Sequence, residues 1–365
     1  MRVLFDCSIV RGEQGGIRTF ARGLMSSLET FEGVDALIVA PAESARTWAG
    51  HGDLVATIDG AESTLKRAVW RERHLVKLAK AHQAAAIVIP APEGLLRSSD
   101  VPVINVIHDV GPLVAPDVYG RSRWAKYRFS LPIYVKSARV TVCVSAATRH
   151  DLDRSIGARR FSDIRVIGQG HQFDRPGMSF EDNPEAVFPF DRFALHVGAA
   201  LPHKNLETAA RAFSGPGVAG LDGLVLIGPN EGDTVETVMN TVRVLGVADR
   251  VKHLGYVDPG VLAAAYRQAR VLVLPTLHEG FGIPLIEALA QQKRIVASDL
   301  PVFREVGGEI PTYVSKPLDP DEWRRKIALS LASAPPDEEA CKEAIARYSW
   351  KETADQWKRL LEEVT

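Results

Sequence analysis

The sequence predicts an α/β protein built from two parallel sheets in tandem. Three observations carry this: the length, the alternation of buried strands with helices in both halves, and the opposite charge of those halves. At 365 residues the chain exceeds what one core usually holds, so two domains of roughly 150–200 residues are expected. Apolar residues make up 46% and charged residues 24%, which excludes a disordered or fibrous class. Residues 1–180 hold 24 Lys/Arg against 18 Asp/Glu, and residues 181–365 hold 20 against 27. The formal net charge of −1 therefore conceals a basic first half and an acidic second half, as two domains with different partners would have.

Strand candidates in the first half are Arg2–Phe5, Ala36–Ala40, Ala86–Ile89, Val103–Ile107, Val140–Val144 and Ile164–Ile167. In the second half they are Phe193–Val197, Gly223–Ile227, Lys252–Leu254, Val271–Leu274, Arg294–Ala297 and Pro311–Val314. Each is a short apolar run with no alternation, the pattern of a strand covered on both faces by helices. Gly16–Leu28 reads as a helix, with Ile17, Phe20, Leu24 and Leu28 on one face. Residues 168–192 lack either period and contain Gly168, Gly170, Pro176, Gly177, Asn183, Pro184 and Pro189, so they read as a linker. The domains are expected at 1–175 and 185–348. Ser349 to Val364 forms a final amphipathic helix with Trp350, Ala354, Trp357 and Leu361 on one face.

No apolar run reaches the 18 or so residues that span a bilayer, and the start is too short for a signal peptide. Cys7, Cys143 and Cys341 are scattered, with no metal-ligand spacing and no disulfide expected. A reducing cytoplasm fits them.

The most informative stretch runs from Pro275 to Ala290. Strand Val271–Leu274 delivers a loop containing Gly280, Phe281 and Gly282, and Ile283-Pro284 opens a helix, since proline suits a helix start. Glu279 sits in the loop and Glu287 is expected in the first helical turn. Helix N-termini favour anions such as a diphosphate; the carboxylates suit sugar or ribose hydroxyls. A glutamate in a first helical turn is also stabilising by itself. A second constellation, Leu195 to Leu206, puts His203 and Lys204 after the first strand of the second domain, at the carboxyl end where α/β sheets bind ligands. A third, Gly15-Gly16-Ile17-Arg18, precedes a helix; a plain turn or cap is the more frequent explanation of such a pair. A fourth places His108 and Asp109 at the carboxyl end of Val103–Ile107, where a satisfied structural histidine is the commoner case. Ser145 reads as a helix N-cap.

The pair Glu279 and Glu287, eight apart around Gly-Phe-Gly-Ile-Pro, resembles the Glu-x7-Glu motif of retaining glycosyltransferases of the GT-B fold, family 4 (group 1). The order of Leu254-Gly255-Tyr256-Val257, Leu262 to Arg270, Ile295-Val296-Ala297-Ser298 and Pro301 to Val306 is similar too. The resemblance implies two Rossmann-like domains with a cleft between them and a C-terminal helix, 349–365, crossing back to the first. It implies that the first domain holds the acceptor and the second the nucleotide sugar. Glu279 and main-chain groups of Gly280, Phe281, Gly282 and Ile283 would bind donor-sugar hydroxyls, and Glu287 the ribose. Lys204 would neutralise the leaving diphosphate, with Gly15 and Gly16 facing it across the cleft. His108 would hydrogen-bond near the donor sugar and the acceptor hydroxyl. His203 stands where the family often has arginine, which weakens its own diphosphate role and leaves the charge on Lys204.

The resemblance further implies a retaining hexosyltransferase that needs no metal or other cofactor, its co-substrate a nucleotide diphosphate sugar. It leans to mannosyltransferase-like enzymes of bacterial polysaccharide and O-antigen assembly. GDP-mannose or a deoxy relative such as GDP-rhamnose or GDP-perosamine is the first expectation, and UDP-glucose-type donors the second. The acceptor would be a saccharide or lipid-linked saccharide. Two basic, aromatic-bearing stretches, 64–80 and 121–139, fit either a solvated cationic face or peripheral contact with an anionic membrane at the inner face of the cytoplasmic membrane. Nucleic-acid binding is a poorer account, with a sequence pI near 6.8 and no recognition motif. A non-catalytic nucleotide-sugar binder is disfavoured by intact Lys204, Glu279 and Glu287. A Rossmann oxidoreductase is disfavoured by the absence of Gly-x-Gly-x-x-Gly.

Overall fold

The computed structural model describes residues 1–10, 15–174, 186–214, 218, 220–230 and 232–365. It divides into two compact units, Met1–Met178 with Tyr348–Thr365, and Ser179–Arg347. Of the linker residues, Pro176, Gly177, Asn183 and Pro184 lie outside the described residues.

In the first unit, strands β1 (Arg2–Asp6), β2 (Asp35–Pro41), β3 (Asp53–Ile58), β4 (Ala86–Ile89), β5 (Val103–Ile107), β6 (Val140–Cys143) and β7 (Asp163–Val166) form one sheet in the order β3-β2-β1-β4-β5-β6-β7. Every pairing is parallel. In the second unit β8 (Phe193–Val197), β9 (Gly223–Ile227), β10 (Val251–His253), β11 (Val271–Leu274), β12 (Arg294–Ser298) and β13 (Thr312–Val314) take the order β10-β9-β8-β11-β12-β13, again all parallel. Both units are therefore Rossmann-like α/β domains. In each, strand order reverses beside the first strand, between β1 and β4 and between β8 and β11. That reversal opens a crevice at the carboxyl ends of the strands, the usual ligand position in such sheets.

The predicted strands fall in place to within a residue at each end. Strand β3 is the exception, absent from the sequence reading. It is an edge strand whose residues Asp53 to Ala56 are exposed or half-buried, so it lacks the continuous apolar run that marks the others. It joins β2 through a register shift between Ile38 and Val39.

The helix Gly16–Glu32 buries Phe20, Leu24, Met25 and Leu28 and ends at Gly33, whose φ of +60° suits a left-handed cap. The last helix, Trp350–Val364, belongs to the first unit and packs along Gly16–Glu32. Its start is capped: the Ser349 hydroxyl accepts from the backbone N–H of Glu352 at 3.1 Å. Trp350, Ala354, Trp357 and Leu361 are all buried, the face the periodicity predicts. A Cβ on Gly23 would lie 2.1 Å from the Trp350 ring, so the indole needs a glycine beneath it. Trp350 Nε1 donates to the His171 carbonyl at 3.0 Å.

Candidate active site

At the crevice of the second unit, β8 leads through Gly198 to a short 3-10 turn, Pro202–Lys204, and β11 leads to the loop carrying Glu279. The two loops are stitched together. Leu277 N–H donates to the His203 carbonyl at 2.8 Å. The Thr276 hydroxyl lies 3.1 Å from the His203 carbonyl and 2.8 Å from that of His278. Asn205, held in the left-handed region at φ +52°, donates from Nδ2 to the carbonyls of Pro275 at 3.1 Å and Pro317 at 2.8 Å. The stitching brings Lys204 Nζ to 2.6 Å from Glu279 Oε2, with the side chains 16% and 21% exposed. Burial pushes the Glu279 carboxyl up, but the adjacent ammonium outweighs it and holds the group below its usual range. The pair is ionic, close, and open to solvent on one side.

A small cavity under the pair is lined by His196, Lys204, Thr276, Glu279, Pro284 and Phe303. His196 is buried, and its ring lies 3.0 Å through Nδ1 from the Val273 carbonyl. A carbonyl only accepts, so the proton is on Nδ1 and Nε2 carries a lone pair. That Nε2 is buried and has no hydrogen-bond partner among the described residues. Burial lowers the imidazole pKa to about 4, so it is neutral in ordinary buffers. Sequence reasoning gave His196 no role: a histidine inside a buried strand looks like core.

Gly282 has φ +91° and caps the helix Ile283–Ala290. A side chain there would meet Phe303 at 2.7 Å, so both backbone and packing call for glycine. Gly280 and Phe281 are buried, while Ile283 is half-buried. Glu287 corrects its expected position: it lies beyond the first helical turn and is buried. N-terminal dipole stabilisation is therefore not what holds it. Its Oε2 accepts from the Tyr266 hydroxyl at 2.7 Å.

In the first unit His108 follows β5, its Nε2 lying 3.2 Å from the Pro90 carbonyl and its ring edge-on to Phe20 at 4.8 Å between centroids. The proton is therefore on Nε2 and the lone pair on Nδ1. Burial lowers this pKa as well, to about 4. Asp109 Oδ1 accepts from the Gly111 N–H at 2.8 Å and so shapes the loop. Gly15, at φ +124°, and Gly16 are exposed at the start of their helix, with open space where a Cβ would point. Ser145 caps its helix by accepting from Thr148 N–H at 3.0 Å.

The basic stretch 64–80 differs from a uniformly solvated face. Arg67 and Arg71 are buried, the second carried inward by a π-helical turn, Arg71–Leu75. Arg71 pairs with Asp6 and Glu93, and Arg67 Nη2 lies 2.6 Å from Glu93 Oε1. Burial pushes the Glu93 carboxyl up, yet the two guanidiniums pull it down to about 2. This cluster sits at the crevice between β1 and β4. In the other stretch, helix Arg121–Ser137 holds five cations and no acid, with Trp124 and Phe129 exposed. Among the described residues no helix is long and apolar enough to cross a membrane.

Two parallel Rossmann-like sheets, with a cation and a carboxylate at the crevice of the second, define the GT-B class of glycosyltransferases. Solved structures with this fold cover the chain. Sucrose-phosphate synthase from Thermosynechococcus elongatus matches with a TM-score of 0.79, at 17% identity over 100% of this chain and 98% of that one. Anabaena HepE in complex with UDP and glucose matches at 0.70, 16% identical over the whole of both chains. Residues 14–175 match the family model described as Glycosyltransferase Family 4, and residues 180–348 the model described as Glycosyl transferases group 1. The chain belongs to the family 4 (group 1) glycosyltransferases.

Among curated relatives, the O-antigen chain mannosyltransferase RfbU of Salmonella typhimurium is 26% identical over 70% of this chain and 67% of its own length. The serotype-specific mannosyltransferase WbdA of Escherichia coli is 25% identical over 68% of this chain, but the match spans only 32% of WbdA.

Proposed function

We propose that this glycosyltransferase moves a hexose, mannose or a deoxy relative, from a GDP-linked donor to a saccharide or lipid-linked saccharide, with retention of anomeric configuration. The observation that carries this is the Lys204–Glu279 pair, held at 2.6 Å by two stitched loops at the crevice of the second unit. A sugar diphosphate offers each member a better partner than the other: phosphate oxygens for the ammonium, sugar hydroxyls for the carboxylate. Lys204 then supplies fixed positive charge where the leaving diphosphate becomes more negative. The acceptor oxygen bonds to the anomeric carbon on the face from which the diphosphate oxygen departs. That C–O bond breaks, and the departing phosphate oxygen takes the acceptor's proton. No resident metal or other cofactor is required by this scheme.

Gly280, Phe281, Gly282 and Ile283 would line the sugar with main-chain groups, Glu287 would take ribose hydroxyls, and His203 would flank the phosphates. In the first unit, Gly15 and Gly16 would offer main-chain groups to phosphate, and the His108 Nδ1 lone pair would accept a hydrogen bond from a hydroxyl. The mannosyl preference draws support from RfbU and WbdA. A second reading, a UDP-sugar donor, draws support from HepE with UDP and glucose. The acid-free helix Arg121–Ser137, with Phe129 72% exposed, fits peripheral contact with an anionic membrane, where a lipid-linked acceptor resides on the cytoplasmic face.

Product analysis with GDP-mannose and UDP-glucose, with the anomeric configuration read by NMR and the assay repeated in EDTA, tests the reading. Transfer from neither donor class would refute it, inversion would refute the mechanism, and EDTA-sensitive turnover would refute metal independence. Saturating UDP raising the melting temperature while GDP does not would favour the second reading. Flotation with anionic liposomes tests the membrane contact, and a protein that stays with the soluble fraction would exclude it.

A further inference from the structure

A buried carboxylate needs hydrogen-bond donors, and the identity of the donor fixes what the carboxylate can still bind. Glu287 is 3% exposed and Tyr266 fully buried. The Tyr266 hydroxyl donates to Glu287 Oε2 at 2.7 Å, a charge-assisted bond of ordinary short length. Tyr266 stands near the end of the helix Pro259–Gln268, which leads directly into β11. It is thus one strand and one loop away from Glu287 along the chain, yet in contact with it. Burial and the neighbouring carboxylate both push the phenol pKa well above its usual range, which favours the protonated, donating hydroxyl.

An ionised carboxylate has about four acceptor positions. Tyr266 occupies one of them on Oε2 and so constrains the rotation of the group. A carboxylate held in this way is pre-organised for a vicinal diol, which needs two acceptor positions at a set spacing. We propose that Tyr266 is a positioning residue: it orients Glu287 for the 2′- and 3′-hydroxyls of the donor's ribose. This inference rests on the proposed reading that Glu287 binds ribose. It concerns nucleotide affinity rather than the chemical step, because Tyr266 is buried and acts through Glu287.

The test compares GDP and UDP with their 2′,3′-dideoxy counterparts by calorimetry, on the full chain and on Tyr266→Phe and Glu287→Gln. The wild type is expected to bind one of the two ribonucleotides at least tenfold more tightly than its dideoxy form. Tyr266→Phe is expected to weaken the ribonucleotide about tenfold, the worth of one hydrogen bond to a charged group, and to leave the dideoxy form within twofold. In turnover, the donor KM should rise with kcat within twofold. If Tyr266→Phe weakens both forms alike, the tyrosine is structural and the inference falls. If Glu287→Gln removes the ribose preference and Tyr266→Phe keeps it, the inference falls while the reading of Glu287 survives. If Glu287→Gln keeps the preference, or neither ribonucleotide binds, the reading beneath it falls. Tyr266→Leu gives the same comparison should the phenylalanine variant fail to fold.

Discussion

The two units share strand order around their crevices and fill those crevices with opposite strategies. Between β1 and β4 the first unit places two carboxylates, Asp6 and Glu93, and closes them with Arg71 and Arg67, all buried. Between β8 and β11 the second unit places one lysine and one glutamate and leaves both partly open to solvent. The four buried charges of the first cluster match one another, and only Lys126, 3.6 Å from Glu93 Oε1, reaches it from the surface, so the cluster holds structure together. The second has matched charges and an exposed face, so a ligand with phosphates and hydroxyls can compete for both members. The same topology thus yields a lock in one unit and a partly open ion pair in the other. The difference comes from the π-helical turn that feeds Arg71 inward and the 3-10 turn that keeps Lys204 at the rim.

Breaking the lock should have the largest effect. Arg71→Met leaves Asp6 and Glu93 short of a buried partner and is expected to lower stability by about 3–5 kcal/mol. Chemical denaturation would show this, and an unchanged midpoint would mean the cluster is not a lock. Breaking the exchangeable pair should leave the fold and remove the chemistry. Lys204→Ala is expected to reduce kcat by about 10²–10³-fold, or about 3–4 kcal/mol of transition-state stabilisation. Its unfolding free energy should stay within about 1 kcal/mol of the parent's, since a partly exposed pair is worth little. Near-normal turnover would remove Lys204 from the mechanism.

Gly23→Val forces a side chain into the Trp350 ring. It should cost about 1–3 kcal/mol, read as a lowered melting temperature, because the last helix is integral to the first unit. A variant that melts with the parent would show that the two helices can part freely.

The smallest effect per step is the pH response, and it should appear in both units. His108 and His196 are neutral in the fold, with pKa values lowered from 6.5 to about 4. The unfolded chain takes up these protons below about pH 6.5, and the folded chain does so only near pH 4. Stability therefore falls as pH drops through that window, by about 1.4 kcal/mol per pH unit for the fully buried His196, and by less for the partly exposed His108. Glu93 adds a loss only below about pH 4.5, as its carboxyl protonates on the way to about 2. Melting curves between pH 4 and 7 that superimpose would contradict the neutral assignment.

Much of this was legible in the sequence, for reasons that can be named. Parallel strands such as Val271–Leu274 are apolar on both faces, so they stand out as short runs bounded by turn residues. Gly282 and Ile283-Pro284 mark a left-handed turn and a helix start by their chemistry alone. Strand β3 was hidden because an edge strand need not be apolar throughout. Glu287 was misplaced by a turn because one residue of uncertainty in a helix start decides which turn an acid occupies. Arg67 and Arg71 read as surface charge because a cationic stretch carries no sign that carboxylates 22 to 65 residues away will meet it.

The sequence by itself determined the α/β class, the two domains, the family and the residues that bracket the crevice of the second unit. The class, the domains and the bracketing residues follow from local periodicity, turn chemistry and spacing along the chain, and the family from the resemblance of the motifs they carry. Only the tertiary structure decided which charges are locked and which are exchangeable. It also decided that Tyr266 reaches Glu287, and that a neutral, buried His196 lines the same small cavity as Lys204 and Glu279. Those outcomes depend on burial and on contacts between segments distant in sequence, and no local pattern encodes the desolvation that makes one ion pair a lock and leaves another partly open to solvent.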